Sequence, residues 1–194
     1  MKIAGDIERI DQLPPGPLYV FGYGSLLWRP GFDYRSTHRA RIHGFHRALR
    51  VWSFHHRGTP DRPGLVLGLD RGGSCLGCLF EIDADDKRAT AEYLWAREMV
   101  TDVYIPRLVT VHCEAGRFTA LTFVLDRNHE QYAGPLRPNH AAHHIRAACG
   151  ASGANPEYVR ETVAGLERLG VRDRGLRTVL EHLDEVTRRE CPRD

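Results

Sequence analysis

The sequence lacks the features of a membrane-spanning or secreted protein. None of the apolar runs in its 194 residues approaches the roughly 20 residues that a transmembrane helix requires. Its first residues, Met1–Asp11, are mixed polar and do not resemble a signal peptide. The five cysteines are an odd number, which does not indicate a complete set of disulfides. We therefore expect a cytoplasmic protein with no membrane partner.

The sequence also lacks an excess of one charge. It has 27 basic residues against 25 acidic ones, and the basic residues alternate with apolar residues instead of clustering. This pattern gives little support for a nucleic-acid partner. The one notable basic stretch, 38–50, has interleaved apolar residues, as in a strand or bend whose polar side meets water. The composition leaves the oligomeric state open.

No complete metal-binding motif is present. Cys75 and Cys78 form a CxxC pair, but they fall in a predicted strand, where residues three apart point to opposite faces. A second CxxC is missing. His140, His143 and His144 have a helical spacing that could bind a metal, and a solvated helix face is the interpretation we favour. We expect no metal and no cofactor.

Two glycine motifs are incomplete in the segment Gly22–Leu26, which reads GYGSL. A dinucleotide-binding loop would need a third glycine where the chain has Leu27. A hydrolase nucleophile elbow would need glycines in place of Tyr23 and Leu27. We therefore interpret Ser25 as a hydrogen-bond donor and not as a nucleophile.

What the segment does contain is a glycine-bounded turn after an apolar run. Leu18–Phe21 is predicted to be a buried strand. Gly22 and Gly24 would then let the backbone take positive φ and let another group approach closely. Consecutive N–H groups in such a turn can bind an anion, and a tight structural turn is the alternative. The residues of this candidate loop are Tyr23, Gly24, Ser25 and Leu26.

A single acid, Glu98, interrupts the apolar face of a helix predicted over 84–99, with Asp83 as its N-cap. The inward positions of that helix are Ala91, Leu94, Trp95 and Met99. A buried carboxylate must be paired, neutralised or used, because burying an isolated charge costs several kcal/mol or more. Arg97 or Arg107 could pair with it. The alternative is a carboxylate with a raised pKa that exchanges protons near neutral pH.

The predicted elements are strands first and helices later. The strands are predicted at 18–22, 41–54, 65–70, 75–82, 105–114 and 117–126. Besides the helix at 84–99, helices are predicted at 138–149, 155–169 and 173–189, with Gly150, Gly153 and Gly170 as stops. Strands and helices do not alternate regularly, so a small mixed barrel with surrounding helices fits better than a doubly wound sheet. We expect an α+β fold in one domain, 1–194, with 1–17 as a lead-in.

Several separated blocks of sequence resemble one known family. They are Phe21–Trp28, His56–Pro60, Arg62–Gly64, Tyr93–Glu98, Tyr132–Pro135 and Asn155–Tyr158. In order and spacing these blocks are similar to the ChaC family of glutathione-specific gamma-glutamylcyclotransferases, over roughly residues 18 to 185. The resemblance implies a gamma-glutamylcyclotransferase-like fold. It also implies cleavage of glutathione to 5-oxoproline and Cys-Gly, with Glu98 as the catalytic acid and base and the turn as the holder of the gamma-glutamyl group.

Other residues have two interpretations each. Tyr158 is either a substrate-binding phenol or a core tyrosine, and Arg57 is either a substrate-binding or an ordinary surface arginine. Tyr104 could either order the rim of the site or bind the glycine carboxylate of glutathione. The segment 99–104 lacks the glycines found in many relatives, which leaves its shape open. Other gamma-glutamyl amines or amino acids are alternative substrates. A noncatalytic gamma-glutamyl-binding regulator of cation transport is the alternative of another class.

Overall fold

The computed structural model describes residues 5–190, with side chains as far as residue 185. The chain divides into two compact units. The first comprises Met1–Arg47 and Gly68–His129, and the second comprises Ala48–Leu67 and Glu130–Asp194. A single domain over residues 1–194 stays a prediction.

Five strands form a closed barrel. They are β1 (Leu18–Gly22), β2 (Ser36–Ser53), β3 (Gly64–Ile82), β4 (Tyr104–Cys113) and β5 (Gly116–Leu125). Their order is β1-β3-β2-β4-β5, and β3 pairs additionally with β5. Strand β1 runs antiparallel to β3 but parallel to β5, so the barrel is mixed. This arrangement confirms the predicted α+β class with a small mixed barrel.

Strand β1 leads to the glycine-bounded turn, and its bounds agree with the prediction. It has a neighbouring strand on each edge, and Leu18, Val20 and Phe21 are all buried. A strand in that position is expected to be a continuous run of bulky apolar residues. The Thr122 hydroxyl donates a 3.0 Å hydrogen bond to the Phe21 carbonyl, which fixes the end of the strand to β5.

Two predicted strand boundaries are wrong. The strands predicted at 65–70 and 75–82 are one strand, β3, which continues through Gly72 (φ 98°) and Gly73 (φ 71°). Positive φ at the glycine pair does not end the strand, because β3 pairs with β5 at Leu69, before the pair, and with β1 at Cys78–Ile82, after it. Strand β2 begins at Ser36 instead of residue 41. The Ser36 hydroxyl donates a 2.6 Å hydrogen bond to Glu81 of β3, so polar side chains also support this pairing.

The helix that carries Glu98, α1 (Lys87–Glu98), begins three residues later than predicted. Its N-cap is Asp86, which makes no side-chain cap hydrogen bond. Asp83 instead begins a turn, in which its carbonyl accepts a 3.2 Å hydrogen bond from the Asp86 N–H. The predicted apolar face is confirmed in part, because Ala91 and Leu94 are fully buried, whereas Trp95 and Met99 are only half-buried.

The second unit contains three helices and a short hairpin. They are α2 (Pro138–Arg146), β6 (Cys149–Gly150), β7 (Gly153–Ala154), α3 (Asn155–Arg168) and α4 (Arg174–Glu190). All three helices were predicted, with ends that differ by at most three residues. In the described part of the chain, none of the helices is both long and apolar enough to cross a membrane.

Of the three predicted helix stops, one is confirmed. Gly170 follows α3 with φ 67°, and its N–H donates a 2.9 Å hydrogen bond to the Glu167 carbonyl. This is the left-handed glycine that commonly ends a helix. Gly150 and Gly153 are wrong as stops, because they pair with each other across the β6–β7 hairpin. Helix α2 has already ended at its C-cap, Ala147.

Candidate active site

The turn after β1 continues into a short 3-10 helix, Ser25–Leu27. The expected positive φ is wrong: Gly24 has φ −135°, and Gly22 is not among the residues with positive φ. The expected close approach is present, because a Cβ at Gly22 would lie 2.8 Å from Cε2 of Phe80. The first hydrogen bond of the 3-10 helix is made by Leu27, to the Gly24 carbonyl. N–H groups that precede such a bond point out of the helix start, as an anion-binding turn requires.

The turn is fixed to the barrel through Tyr23. The Tyr23 hydroxyl donates a 3.0 Å hydrogen bond to the Phe123 carbonyl. Arg47 donates from Nη1 to the carbonyls of Tyr23 and Leu76, each at 3.0 Å. The side chains of Tyr23 and Leu26 are both buried. These two predicted site residues therefore present main-chain groups at the turn, while Ser25 presents its half-buried hydroxyl.

Glu98 is the last residue of α1, and its side chain is 18% exposed. Burial raises its pKa, and the charge of Arg97 opposes that rise. A carboxylate at the C-terminal end of a helix is also disfavoured by the helix dipole. The ion-pair partner of Glu98 is Arg97, whose Nε lies 3.2 Å from Glu98 Oε1. Arg107, the other candidate, pairs instead with Asp6.

Arg97 brings the two motifs together. Its Nη2 donates a 2.8 Å hydrogen bond to Ser25 Oγ, while its Nε faces Glu98. Its Nη1 donates to the carbonyls of Arg29 (2.7 Å) and Pro30 (3.0 Å). The sequence indicated Arg97 only as an ion-pair partner. Its contact with Ser25, 72 residues away, has no signal in local spacing.

The loop after Glu98 has a defined shape. The Val103 carbonyl accepts a 2.9 Å hydrogen bond from Asp126, and the Val103 side chain is buried. Tyr104 follows as the first residue of β4, paired with Leu125. In this loop Asp102 has φ 56°, the left-handed region that favours glycine.

We expect Asp102→Val to lower the free energy of unfolding by about 1–2 kcal/mol, because a β-branched residue is strained in this conformation. Asp102→Gly should be tolerated, since glycine adopts positive φ without a steric penalty. Urea unfolding measures both. The matched control is Thr101→Val, an exposed neighbour that does not have positive φ. An equal loss of stability in Thr101→Val and Asp102→Val would contradict the backbone explanation.

The remaining predicted site residues, Arg57 and Tyr158, lie in the second unit and contact each other. The Arg57 guanidinium lies 5.5 Å from the Tyr158 ring centroid and donates a 3.1 Å hydrogen bond to the Ala154 carbonyl. Arg57 is only 6% exposed, so the surface interpretation is wrong. The Tyr158 hydroxyl accepts a 3.2 Å hydrogen bond from the Leu67 N–H, and the residue is buried, as expected for a core tyrosine. A substrate-binding role for either stays a prediction.

In the same unit, the Asn155 side chain has a structural role that the sequence did not predict. Its Oδ1 accepts a 2.7 Å hydrogen bond from the Leu65 N–H, and its Nδ2 donates a 3.0 Å bond to the Leu65 carbonyl. Both residues are fully buried. The amide thus satisfies both main-chain groups of one residue of β3, as a neighbouring strand would do.

The cysteines and histidines of the described residues do not form a metal site, because no group of three potential ligands is close enough to hold an ion. Cys75 and Cys78 are buried thiols, and burial raises the pKa of Cys78 to about 11. His140, His143 and His144 are all exposed on α2, which confirms the solvated helix face. Cys191 lies outside the described residues.

Comparison with known families bears directly on this geometry. A family model described as "ChaC-like protein" matches residues 18–186, which include the turn, Arg97 and Glu98. The chain belongs to the ChaC-like family.

Curated relatives of this ChaC-like chain have consistent names. The "Glutathione-specific gamma-glutamylcyclotransferase" of Escherichia coli K12 is 32% identical over 178 residues, which cover 91% of this chain and 77% of the relative. The human "Glutathione-specific gamma-glutamylcyclotransferase 1" is 29% identical, covering 92% of this chain and 83% of the relative.

A solved structure supports the ChaC-like fold. The selenomethionine-labelled yeast gamma-glutamylcyclotransferase specific to glutathione has a TM-score of 0.81 and covers 88% of this chain and 96% of its own. At 24% sequence identity this likeness shows the fold alone.

Proposed function

We propose that this chain is a gamma-glutamylcyclotransferase that cleaves glutathione to 5-oxoproline and Cys-Gly, with Glu98 as the general acid and base. The observation that carries the proposal is the connection of Glu98 to the turn through one guanidinium, in a chain of the ChaC-like family. The names of the relatives supply the substrate. The odd number of cysteines and this substrate both favour the cytoplasm.

The proposed reaction is intramolecular. The alpha-amine of the glutamyl group attacks its own gamma-carbonyl, the ring closes as a five-membered lactam, and the bond to the nitrogen of Cys-Gly breaks. Because nucleophile and electrophile belong to one molecule, catalysis depends mainly on holding a reactive conformer. The Glu98 carboxylate takes a proton from the alpha-ammonium and returns it to the leaving amide nitrogen. The ring nitrogen then loses its second proton to Glu98, which passes it to the released amine or to water, so that a neutral lactam and the ammonium of Cys-Gly result. A carboxyl with a raised pKa suits both transfers near neutral pH.

Other groups hold the substrate in this scheme. The main chain of Tyr23, Gly24, Ser25 and Leu26 contacts either the substrate carboxylate or the oxyanion that forms during attack. Tyr104, Arg57 and Tyr158 are the further substrate-binding candidates. Arg57 supplies a buried positive charge, which suits a carboxylate of the tripeptide. The scheme uses no metal and no cofactor.

The test is product stoichiometry. We expect the protein to convert reduced glutathione to 5-oxoproline and Cys-Gly in equal amounts. N-acetylglutathione should give neither product, because its blocked amine cannot attack. Release of glutamate from glutathione, or of N-acetylglutamate from N-acetylglutathione, would indicate hydrolysis and contradict the cyclisation.

A second substrate separates glutathione specificity from a broader activity. Gamma-glutamylalanine should be turned over far more slowly than glutathione. A comparable rate would mean that the enzyme acts on gamma-glutamyl compounds in general and is not specific for glutathione. If glutathione raises the melting temperature of the protein without being turned over, the chain is a binding protein and the enzyme proposal fails.

A further inference from the structure

Arg97 has a role in the first unit beyond pairing its charge. Its side chain is 20% exposed and uses each nitrogen of the guanidinium for a different partner. We propose that Arg97 is a positioning residue, which holds the Glu98 carboxylate at a fixed place relative to the turn by contacting Glu98 and Ser25 at once. This inference rests on the proposed function, in which Glu98 moves the proton and the turn holds the substrate.

The geometry of α1 explains why such a residue is needed. Consecutive side chains on a helix point about 100° apart, so Arg97 and Glu98 do not meet by helix geometry alone. Glu98 ends its helix, and three rotatable bonds separate its carboxylate from the backbone. The turn, in contrast, is fixed to the barrel through Tyr23 and Arg47. Because Arg97 contacts both the turn and Glu98, it holds the carboxylate at a fixed place relative to the turn.

The contacts require a guanidinium. Nη1 is held by the carbonyls of Arg29 and Pro30 and by the Tyr93 hydroxyl, at 2.7 to 3.0 Å. Because the guanidinium is planar, fixing Nη1 also fixes the directions of Nε and Nη2. A lysine ammonium in this place would keep the charge. It would not reach Glu98, Ser25 and the loop carbonyls together.

Arg97 also controls the charge of Glu98. Among the described residues it is the one charged group within ion-pair distance of that carboxylate, and the other groups on its guanidinium, Ser25 and Tyr93, are neutral hydroxyls. Burial raises the pKa of Glu98 and Arg97 limits the rise. Without Arg97 the carboxyl would hold its proton at a higher pH and would be a poorer base at neutral pH.

The experiment compares Arg97→Gln and Arg97→Lys with wild type, measuring kcat and KM for glutathione between about pH 5 and pH 9. In parallel, ¹³C NMR follows the titration of the Glu98 carboxyl without substrate, its signal assigned by its absence from Glu98→Gln. In Arg97→Gln we expect the acid limb of the kcat profile and the carboxyl titration to shift together to higher pH. In Arg97→Lys we expect a smaller shift and a fall in kcat of about 10–10²-fold, with KM little changed, because geometry is lost while charge is kept.

The matched control lies on the same helix. Arg88 forms an exposed ion pair with Glu92, with Nε 2.9 Å from Oε1, and Arg88→Gln removes the same charge from α1. It should shift neither the kcat profile nor the Glu98 titration. An equal shift in Arg88→Gln would mean that overall charge, and not position, is responsible, and would overturn the proposal.

Two further results would overturn it. One is an Arg97→Gln protein with wild-type kcat, pH profile and carboxyl titration. The other is a change confined to KM, which would make Arg97 a substrate-binding group. If Arg97→Gln does not fold, wild-type kcat in Arg97→Lys would overturn the positioning role in its place. If wild type does not turn over glutathione, the proposed function fails, while the NMR titration still tests the effect of Arg97 on Glu98.

Discussion

Glu98→Gln is expected to lower kcat for glutathione by about 10²–10⁴-fold, the range that a positioned general acid or base contributes. Glutamine has nearly the same shape as glutamate but can neither take the proton from the alpha-ammonium nor return one to the leaving nitrogen. The variant should stay folded, because Arg97 keeps its hydrogen bonds to Ser25 and to the carbonyls of Arg29 and Pro30. Steady-state assays and thermal melts of both proteins measure the two effects.

The pH dependence of stability separates a base from a structural ion pair. The pKa of Glu98 is raised in the folded state, so its ionised form is disfavoured there. In wild type, the contribution of Glu98 to the free energy of unfolding is therefore fully present below the unfolded-state pKa of about 4.3. It is lost as the pH rises through the raised pKa of the folded state. Glu98→Gln has no such loss, so its melting temperature should rise relative to wild type as the pH rises above the unfolded pKa of the glutamate.

Glu92→Gln is the matched control, since Glu92 is an exposed glutamate on the same helix. It should leave both kcat and the melting temperature unchanged. Two results would contradict the role of Glu98. One is retained turnover in Glu98→Gln, and the other is a melting temperature below that of wild type at every pH, as expected if the ion pair were purely structural.

Asp6→Ala is expected to lower the free energy of unfolding by about 3–5 kcal/mol, the cost of leaving a buried charge unpaired. Asp6 and Arg107 are 10% and 7% exposed, and Arg107 Nε donates a 2.7 Å hydrogen bond to Asp6 Oδ1. The neighbouring main chain pairs as well, because the Ile7 N–H donates to the Pro106 carbonyl at 3.0 Å. Loss of the carboxylate should therefore weaken the attachment of the N-terminal segment to β4, which urea unfolding would detect.

The N-terminal segment contains its own control. Arg9 and Asp11 form a second arginine–aspartate pair, with contacts of 2.8 and 3.1 Å, but both side chains are exposed. Asp11→Ala should have no measurable effect, because water solvates both charges. The double variant Asp6→Ala/Arg107→Met should recover most of the lost stability, since it buries no unpaired charge. Equal losses in Asp6→Ala and Asp11→Ala would show that burial does not decide the effect.

Local patterns predicted local structure well. The apolar run of β1 and the stripe of α1 depend on periodicity within one element. The run was found where the sequence placed it, and Ala91 and Leu94 of the stripe are buried. Glu98 was recognisable because a carboxylate in an apolar stripe is costly. The boundaries that failed, at Asp83 and at Gly72 and Gly73, are places where several structures suit the same local residues and tertiary contacts decide among them.

Contacts between distant residues could not be predicted. Arg97 reaches Ser25 across 72 positions, and Arg107 reaches Asp6 across 101. From the sequence alone, Arg97 and Arg107 were both possible ion-pair partners of Glu98. The folded structure shows that Arg97 is the partner. The lead-in could not be recognised as part of the first unit, although Ile7 and Leu13 are buried. Its few apolar residues have no regular period that would predict an element.

The Cys78 thiol, one of two buried thiols of β3, has a consequence for a protein whose proposed substrate is itself a thiol. Because burial raises its pKa to about 11, Cys78 is almost entirely protonated at pH 7, and the thiolate is the form that attacks a disulfide. Oxidised glutathione should therefore leave Cys78 without a mixed disulfide. Among the four described cysteines, Cys149 is exposed and is the one that an alkylating reagent should label first. The redox state of the surrounding glutathione can thus change without covalently modifying Cys78.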